Sequence, residues 1–196
     1  MDLDLSIIRR HRQSIATRQG QRRMDGPQDR SWLVLGGARS GKSRHAQAIA
    51  EARGGTLVFV ATAQAYDDEM RDRIARHRSD RDARWRTVEA PLALAAAIRA
   101  ADGEGVVMLI DCLTLWASNL LLGDHDIDAA ADALLAAIAA VRGTIVLVSN
   151  EVGYGIVPDN ALARRFRDVA GILNQRVAAA VARVDLVAAG LPLRLK

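Results

Sequence analysis

A single cysteine, Cys112, stands in a chain of 196 residues. It excludes an intrachain disulfide and any paired-cysteine metal or redox motif, and it fits the reducing cytoplasm. Aromatic residues make up only 4% of the chain while half of it is hydrophobic, so the core must be aliphatic and rich in alanine. The same scarcity removes the stacking platform that single-stranded nucleic acid uses, and no nucleic-acid partner is expected. No apolar run approaches the ~20 residues of a membrane span, and no signal-peptide core follows the N-terminus. The formal charge is only +4, and arginines alternate with acids instead of forming a block, which describes a solvated surface. Lysine is scarcer still: of 27 basic residues only Lys42 and Lys196 are lysines. A sequence that writes arginine nearly everywhere keeps its one internal lysine where a compact ammonium on a flexible stem is wanted.

That lysine lies in Gly36-Gly37-Ala38-Arg39-Ser40-Gly41-Lys42-Ser43, after the apolar run Trp32-Leu33-Val34-Leu35 and before an alanine-rich helical pattern. This is the Walker A pattern in its strand–loop–helix setting. The glycines let backbone N–H groups turn onto phosphates, and the helix N-terminus adds partial positive charge. Lys42 would reach the β- and γ-phosphates and the Ser43 hydroxyl would hold Mg²⁺. The chain is read as handling a nucleoside triphosphate.

At this length one domain is expected, and residues 31–196 are assigned to it. Residues 1–30 differ, with seven arginines against four aspartates and little apolar periodicity, and are read as a mobile basic extension. Met24 lies inside this segment and is a second candidate start. Beyond it, apolar strand-like runs at 32–35, 56–60, 106–110, 144–149 and 184–188, with a shorter one at 86–88, alternate with helical patterns. Those patterns cover 42–52, 67–79, 91–101, 112–122, 127–141 and 160–182. The tail from Leu191 alternates with period two, and Pro192 suits an edge strand. The expected fold is α/β, a mostly parallel sheet with helices on both faces and an antiparallel edge strand, with ligands at the strands' C-terminal ends.

Those ends can be searched for chemistry. Asp111 follows Val-Val-Met-Leu-Ile as a Walker B acid would, positioning Mg²⁺ directly or through water. Ala61, Thr62 and Ala63 follow the second strand and are small enough for a nucleotide to approach the backbone. Ser149-Asn150-Glu151-Val152-Gly153 follows another strand and reads equally as a polar site or a turn. Of the four histidines, His11 lies in the arm, His125 among aspartates in a loop, and His45 in the first turn after the phosphate loop. His77 shares a helical face with Met70 and Ile74, beside Arg76, Arg78 and Arg81. Spacing alone favours a partly buried structural histidine. The functional alternative is a nucleophile near phosphates, since neutral imidazole attacks phosphorus without a base.

Several stretches together resemble one bacterial family. They are the phosphate loop, Ala61-Thr62, Asp67-Asp68-Glu69-Met70, Arg73-Ile74 with His77 and Arg81, and Trp85-Arg86-Thr87 with Glu89. Asn150-Glu151-Val152-Gly153, Gly155-Ile156-Val157-Pro158, and Arg167-Asp168 with Gly171 and Asn174-Gln175 extend the likeness. The family is the bifunctional adenosylcobinamide kinase / adenosylcobinamide-phosphate guanylyltransferase of cobalamin biosynthesis, and the resemblance runs from 32 to 196. One departure is Asp82, where members often have proline. The resemblance implies a RecA-like P-loop fold and a cytoplasmic homotrimer. It implies phosphorylation of adenosylcobinamide from ATP or GTP, then transfer of GMP from GTP to adenosylcobinamide phosphate through a guanylylated histidine. By motif that histidine is His77. The implied nucleotide contacts are Gly36, Gly37, Ala38, Arg39, Ser40, Gly41, Lys42, Ser43, Ala61, Thr62, Ala63, Arg78, Ser79, Asp80, Arg81, Glu89 and Asp111. Glu89 suits guanine, whose N1–H and N2–H₂ edge offers two donors to one carboxylate. Two rivals use fewer of these residues: a P-loop small-molecule kinase in which His77 is structural, and a RecA-like nucleotide switch.

Overall fold

The computed structural model describes residues 29–64 and 82–196. The helix expected over 67–79 and the expected extension up to residue 28 lie outside them. Seven strands form one sheet: β1 (Ser31–Gly36), β2 (Thr56–Ala61), β3 (Trp85–Glu89), β4 (Val106–Asp111), β5 (Thr144–Asn150), β6 (Arg183–Ala188) and β7 (Leu191–Arg194). Their order is β3-β2-β4-β5-β1-β6-β7, with every pair parallel except the β6–β7 hairpin. Five helices complete the described chain: α1 (Lys42–Arg53), α2 (Leu94–Ala101), α3 (Leu113–Leu122), α4 (Ile127–Ala139) and α5 (Ala161–Ala180). The expected elements are all found where the chain is described, with ends shifted by a few residues at most. Helix α2 begins at Leu94 because Pro91 and the two residues after it form the turn that enters it. Among the described residues no helix is long and apolar enough to cross a membrane.

The central strands are buried on both faces, which is why they read as unbroken apolar runs. Alternate residues nevertheless meet different neighbours. Leu33, Val58, Val60, Met108, Ile110, Ile145 and Leu147 pack under α2, α3, α4 and α5 through Leu94, Ile98, Leu113, Trp116, Leu134 and Leu173. Trp32, Val34, Phe59, Trp85, Leu109, Val146 and Val148 face the other way, toward α1. Helix α1 buries Ala46 and Ala50 against that face, one and two helical steps of four beyond Lys42, with Ile49 half-buried beside them. With alanines at its fully buried positions, the seam is thin. It lets the helix axis lie close to the sheet and holds its first residue at the end of β1.

Candidate active site

Glycine chemistry shapes the β1–α1 loop. A Cβ on Gly36 would lie 2.5 Å from Ser40 Oγ and 2.6 Å from the Val187 carbonyl oxygen, so the strand can turn only without a side chain there. Gly41 sits at φ 95° as the N-cap of α1, a backbone that L-residues rarely adopt. Neighbours fix the loop from outside. Gly190 N–H donates to Ser40 O at 2.8 Å and Glu151 N–H donates to Gly36 O at 3.2 Å. Gly37, Ala38 and Arg39 remain exposed, and Arg39 takes a positive φ of 56°.

The start of α1 differs from those of α4 and α5. Asp126 caps α4 by accepting from Ala129 N–H at 2.9 Å, and Asn160 caps α5 by accepting from Ala163 N–H at 2.7 Å. No side chain caps α1, and no acidic residue stands in its first turn. Its terminal N–H groups and dipole therefore face the loop uncompensated, which is the condition for binding an anion. Lys42 is 9% exposed, and its ammonium donates to Gly37 O at 3.1 Å, across the mouth of the loop. Ser43 follows, half-buried.

Parallel pairing assembles the rest of the site. Ala61 is in register with Glu89 of β3 on one side and Asp111 of β4 on the other. Glu89, Ala61 and Asp111 thus form one row at the C-terminal ends, spanning about 10 Å at the ordinary strand spacing. Glu89 is exposed and Asp111 half-buried. Thr62 is wholly buried: its hydroxyl donates to Cys112 O at 2.7 Å and accepts from Cys112 N–H at 2.8 Å. Asn119 of α3 donates to Thr62 O at 2.8 Å and Pro91 O at 2.9 Å. Thr62 therefore ties the ends of β2 and β4 together, with half-buried Ala63 beside it. Burial, with Asp111 adding to it, raises the Cys112 thiol to about 11, so it stays protonated and takes no part as a nucleophile.

A second polar group lies past β5. Asn150 is in register with Gly36, and its N–H donates to Thr114 Oγ1 at 2.7 Å, while Thr114 and Ser149 share a hydroxyl contact of 3.2 Å. From α5, Asn174 Nδ2 donates to Asn150 O at 3.1 Å and to Glu151 Oε1 at 3.3 Å. Sequence reasoning left this stretch between site and turn, and passed over Thr114, whose one signal is a polar residue at the start of the helix that follows a strand-end acid. His45 is placed otherwise. Its Nε2 lies 2.9 Å from Asp185 Oδ2, and Asp185, 2% exposed on β6, also accepts from Arg194 of β7. That network packs α1 on the sheet edge. His77, Arg78, Ser79, Asp80 and Arg81 lie outside the described residues.

The hard-oxygen set fits a magnesium ion. Ser43 and Asp111 would supply a hydroxyl and one carboxylate, and no group of three or more His, Cys, Asp or Glu residues that could hold a metal gathers among the described residues. A site of one or two protein oxygens completed by phosphate and water suits Mg²⁺ better than a dedicated metal cage would.

Comparison with known proteins extends the picture along residues 32–195. The family described as cobinamide kinase / cobinamide phosphate guanyltransferase matches residues 32–195. The bifunctional adenosylcobalamin biosynthesis protein CobP of Pseudomonas aeruginosa is 51% identical over 166 residues, covering 84% of this chain and 96% of the relative. The bifunctional adenosylcobalamin biosynthesis proteins CobU of Escherichia coli and Salmonella typhimurium are each 44% identical, over 179 and 180 residues. Both alignments cover 84% of this chain and 98% of the relative.

Proposed function

Because this chain belongs to the cobinamide kinase / cobinamide phosphate guanyltransferase family, we propose that it carries out both reactions on adenosylcobinamide. The first moves a γ-phosphoryl group from ATP or GTP to the hydroxyl of the aminopropanol arm. The second moves GMP from GTP to that phosphate, giving adenosylcobinamide-GDP and pyrophosphate. The observation that carries the reading is the one sheet edge that holds the phosphate loop, Asp111 and Glu89, within a match running from 32 to 195.

The roles follow from the chemistry of each group. Lys42 and the backbone of Gly36 to Ser43 neutralise and orient the triphosphate, which supplies most of what phosphoryl transfer requires. Ser43 and Asp111 would hold Mg²⁺, which when bound spreads the phosphate charge. Glu89 accepts from the N1–H and N2–H₂ edge of guanine. For the second reaction an imidazole nitrogen of His77 attacks the α-phosphorus. The bond to the bridging oxygen breaks and its electron pair leaves with pyrophosphate. The phosphate of the cobinamide then attacks the same phosphorus and releases the histidine. Arg78 and Arg81 would supply positive charge to the triphosphate. The enzyme works in the cytoplasm as a homotrimer, an assembly that light scattering would read directly.

Incubation with Mg²⁺ and GTP labelled in the α-phosphate, without corrinoid, tests the covalent step. Label is expected on His77, labile in acid and stable in alkali as a phosphoramidate is. His77→Asn is expected to lose the label and guanylyl transfer while still binding GTP and phosphorylating cobinamide. Label on another histidine, or full guanylyl transfer by the variant, would overturn the assignment.

A further inference from the structure

Phosphoryl transfer to an alcohol needs a group that takes the hydroxyl proton. Lys42, Ser43 and Asp111 are assigned above to the triphosphate and its cation, so none of them fills that place. We propose that Glu151 is the general base of the kinase step, an inference that rests on the kinase reading.

Topology supplies the first argument. Strand β5 lies between β1, which runs into the phosphate loop, and β4, which ends at Asp111. Glu151 is the first residue beyond β5, and its N–H is bonded to the carbonyl of Gly36, where that loop begins. A carboxylate here stands between the phosphate cradle and the Walker B acid. The other acids at these strands do not share that position. Asp185 is buried and engaged by His45 and Arg194, and Glu89 lies on β3 at the far edge of the sheet.

The second argument is a surplus of acceptors. Glu151 is half-buried, and one amide nitrogen, Asn174 Nδ2, serves both its carboxylate and the Asn150 carbonyl. Asn150 Oδ1 and Asn174 Oδ1 are buried with no hydrogen-bond partner among the described residues, and Asn174 as a whole is only 5% exposed. Buried oxygens without a donor are costly, so such a cluster is built to receive one. With the surrounding oxygens closed off, the half-buried Glu151 carboxylate is the acceptor open to an incoming hydroxyl; a second triphosphate, which offers only acceptors on its phosphates, brings no such donor.

The third argument concerns the body of that ligand. Directly after Glu151 the chain exposes Val152, Tyr154, Ile156 and Val157, with Ile156 97% exposed. The chain is tied at both ends of this stretch, by the Glu151 N–H on Gly36 O before it and by the bonds that follow it. Arg164 donates to the carbonyls of Pro158 and Asp159 at 2.9 and 2.7 Å, and Asn160 caps α5. An apolar surface held beside a phosphate site suits a large organic substrate of low charge that extends a hydroxyl arm toward the loop.

The step balances as follows. The hydroxyl oxygen of the arm forms a bond to the γ-phosphorus as its proton passes to the Glu151 carboxylate. The bond from that phosphorus to the β–γ bridging oxygen breaks, and its electron pair leaves with the nucleoside diphosphate. Guanylyl transfer needs no such base, because its acceptor is a phosphate monoester already largely ionised at neutral pH.

The test compares the full-length protein with Glu151→Gln and Glu151→Asp in two separate assays. One is phosphorylation of adenosylcobinamide by ATP or GTP; the other is guanylyl transfer to adenosylcobinamide phosphate supplied ready-made. Removing a general base costs roughly 10²–10⁴-fold, so the Gln variant is expected to lose at least about 100-fold in kinase kcat. Its KM for nucleotide and its guanylyl transfer should stay within about threefold, since those steps do not use the carboxylate. The Asp variant, which keeps a base, should recover part of the rate. The residual kinase rate of the Gln variant should climb with hydroxide concentration where the wild type levels off, which a packing defect would not produce. A Gln variant with wild-type kinase rate, or one that loses both reactions equally, would overturn the base assignment alone. A wild-type protein that guanylylates the supplied phosphate yet phosphorylates no cobinamide would overturn the kinase reading itself, and the base with it.

Discussion

The phosphate loop and the β5–α5 connection sit side by side at one sheet edge and are built by opposite means. The loop is made of backbone. Its glycines are fixed by close contacts, its carbonyls are held by Gly190, Glu151 and Lys42, and its exposed residues are few and small apart from Arg39. The connection is made of side chains: two asparagines and a glutamate at its root, apolar groups outward, and a capped helix behind. The difference fits what each is proposed to recognise. A triphosphate is the same in every nucleotide, and convergent N–H groups read it without any side chain that could vary. A second substrate has its own shape and its own donors, and only side chains can match those.

Three experiments break or sharpen this contrast, in falling order of effect. Lys42→Ala removes the ammonium held across the mouth of the loop. Both reactions are expected to fall by roughly 10²–10³-fold, as when a preorganised charge stabiliser is lost, while the melting temperature stays close to the wild-type value. Rates measured on the purified, folded variant check this, and near-normal turnover of both substrates would dissolve the distinction between the two regions.

Glycines next separate the two regions. Gly36→Ala drives a methyl into Ser40 Oγ and the Val187 carbonyl, a strain of about 1–3 kcal/mol. Gly153→Ala in the connection meets nothing within 4 Å and has no positive φ to oppose it. It should be neutral or gain up to ~1 kcal/mol from a stiffer unfolded chain. Paired thermal melts decide the matter, with a drop of several degrees expected only for Gly36→Ala; equal drops would mean that the connection is as tightly packed as the loop.

The mildest change is Asn160→Ala, which removes the N-cap bond to Ala163 at the start of α5. A cap is worth about 1 kcal/mol, so a small shift of the unfolding midpoint in urea is expected. Both nucleotide KM values should hold, because α1 and its loop are anchored elsewhere. A change in nucleotide KM larger than that in stability would show that the two regions are coupled.

Legibility in the sequence differed between these regions for a physical reason. The phosphate loop works through contiguous backbone, so eight consecutive residues carried its whole geometry. Strands and helices were legible as well, because burial and helical periodicity are local patterns. The row of Glu89, Ala61 and Asp111 was not, although each had been singled out. Its members become neighbours only when β2 enters between β3 and β4. His45 shows the same limit. Its ring contact is Asp185, 140 residues away on β6, and nothing in the spacing around either residue names the other. Thr62 was picked for its small size, yet its structural work is a pair of bonds to Cys112 across 50 residues.

By itself, then, the sequence determined an α/β chain with a phosphate loop, a strand-end acid and an aliphatic core, since those follow from local periodicity and from glycine and lysine chemistry. Tertiary structure alone decided the strand order, and with it the wedging of Glu151 between the loop and Asp111. Parallel strands are joined by long crossovers, and an apolar run fits equally well beside several others. Only the packing of the whole sheet selects its neighbours.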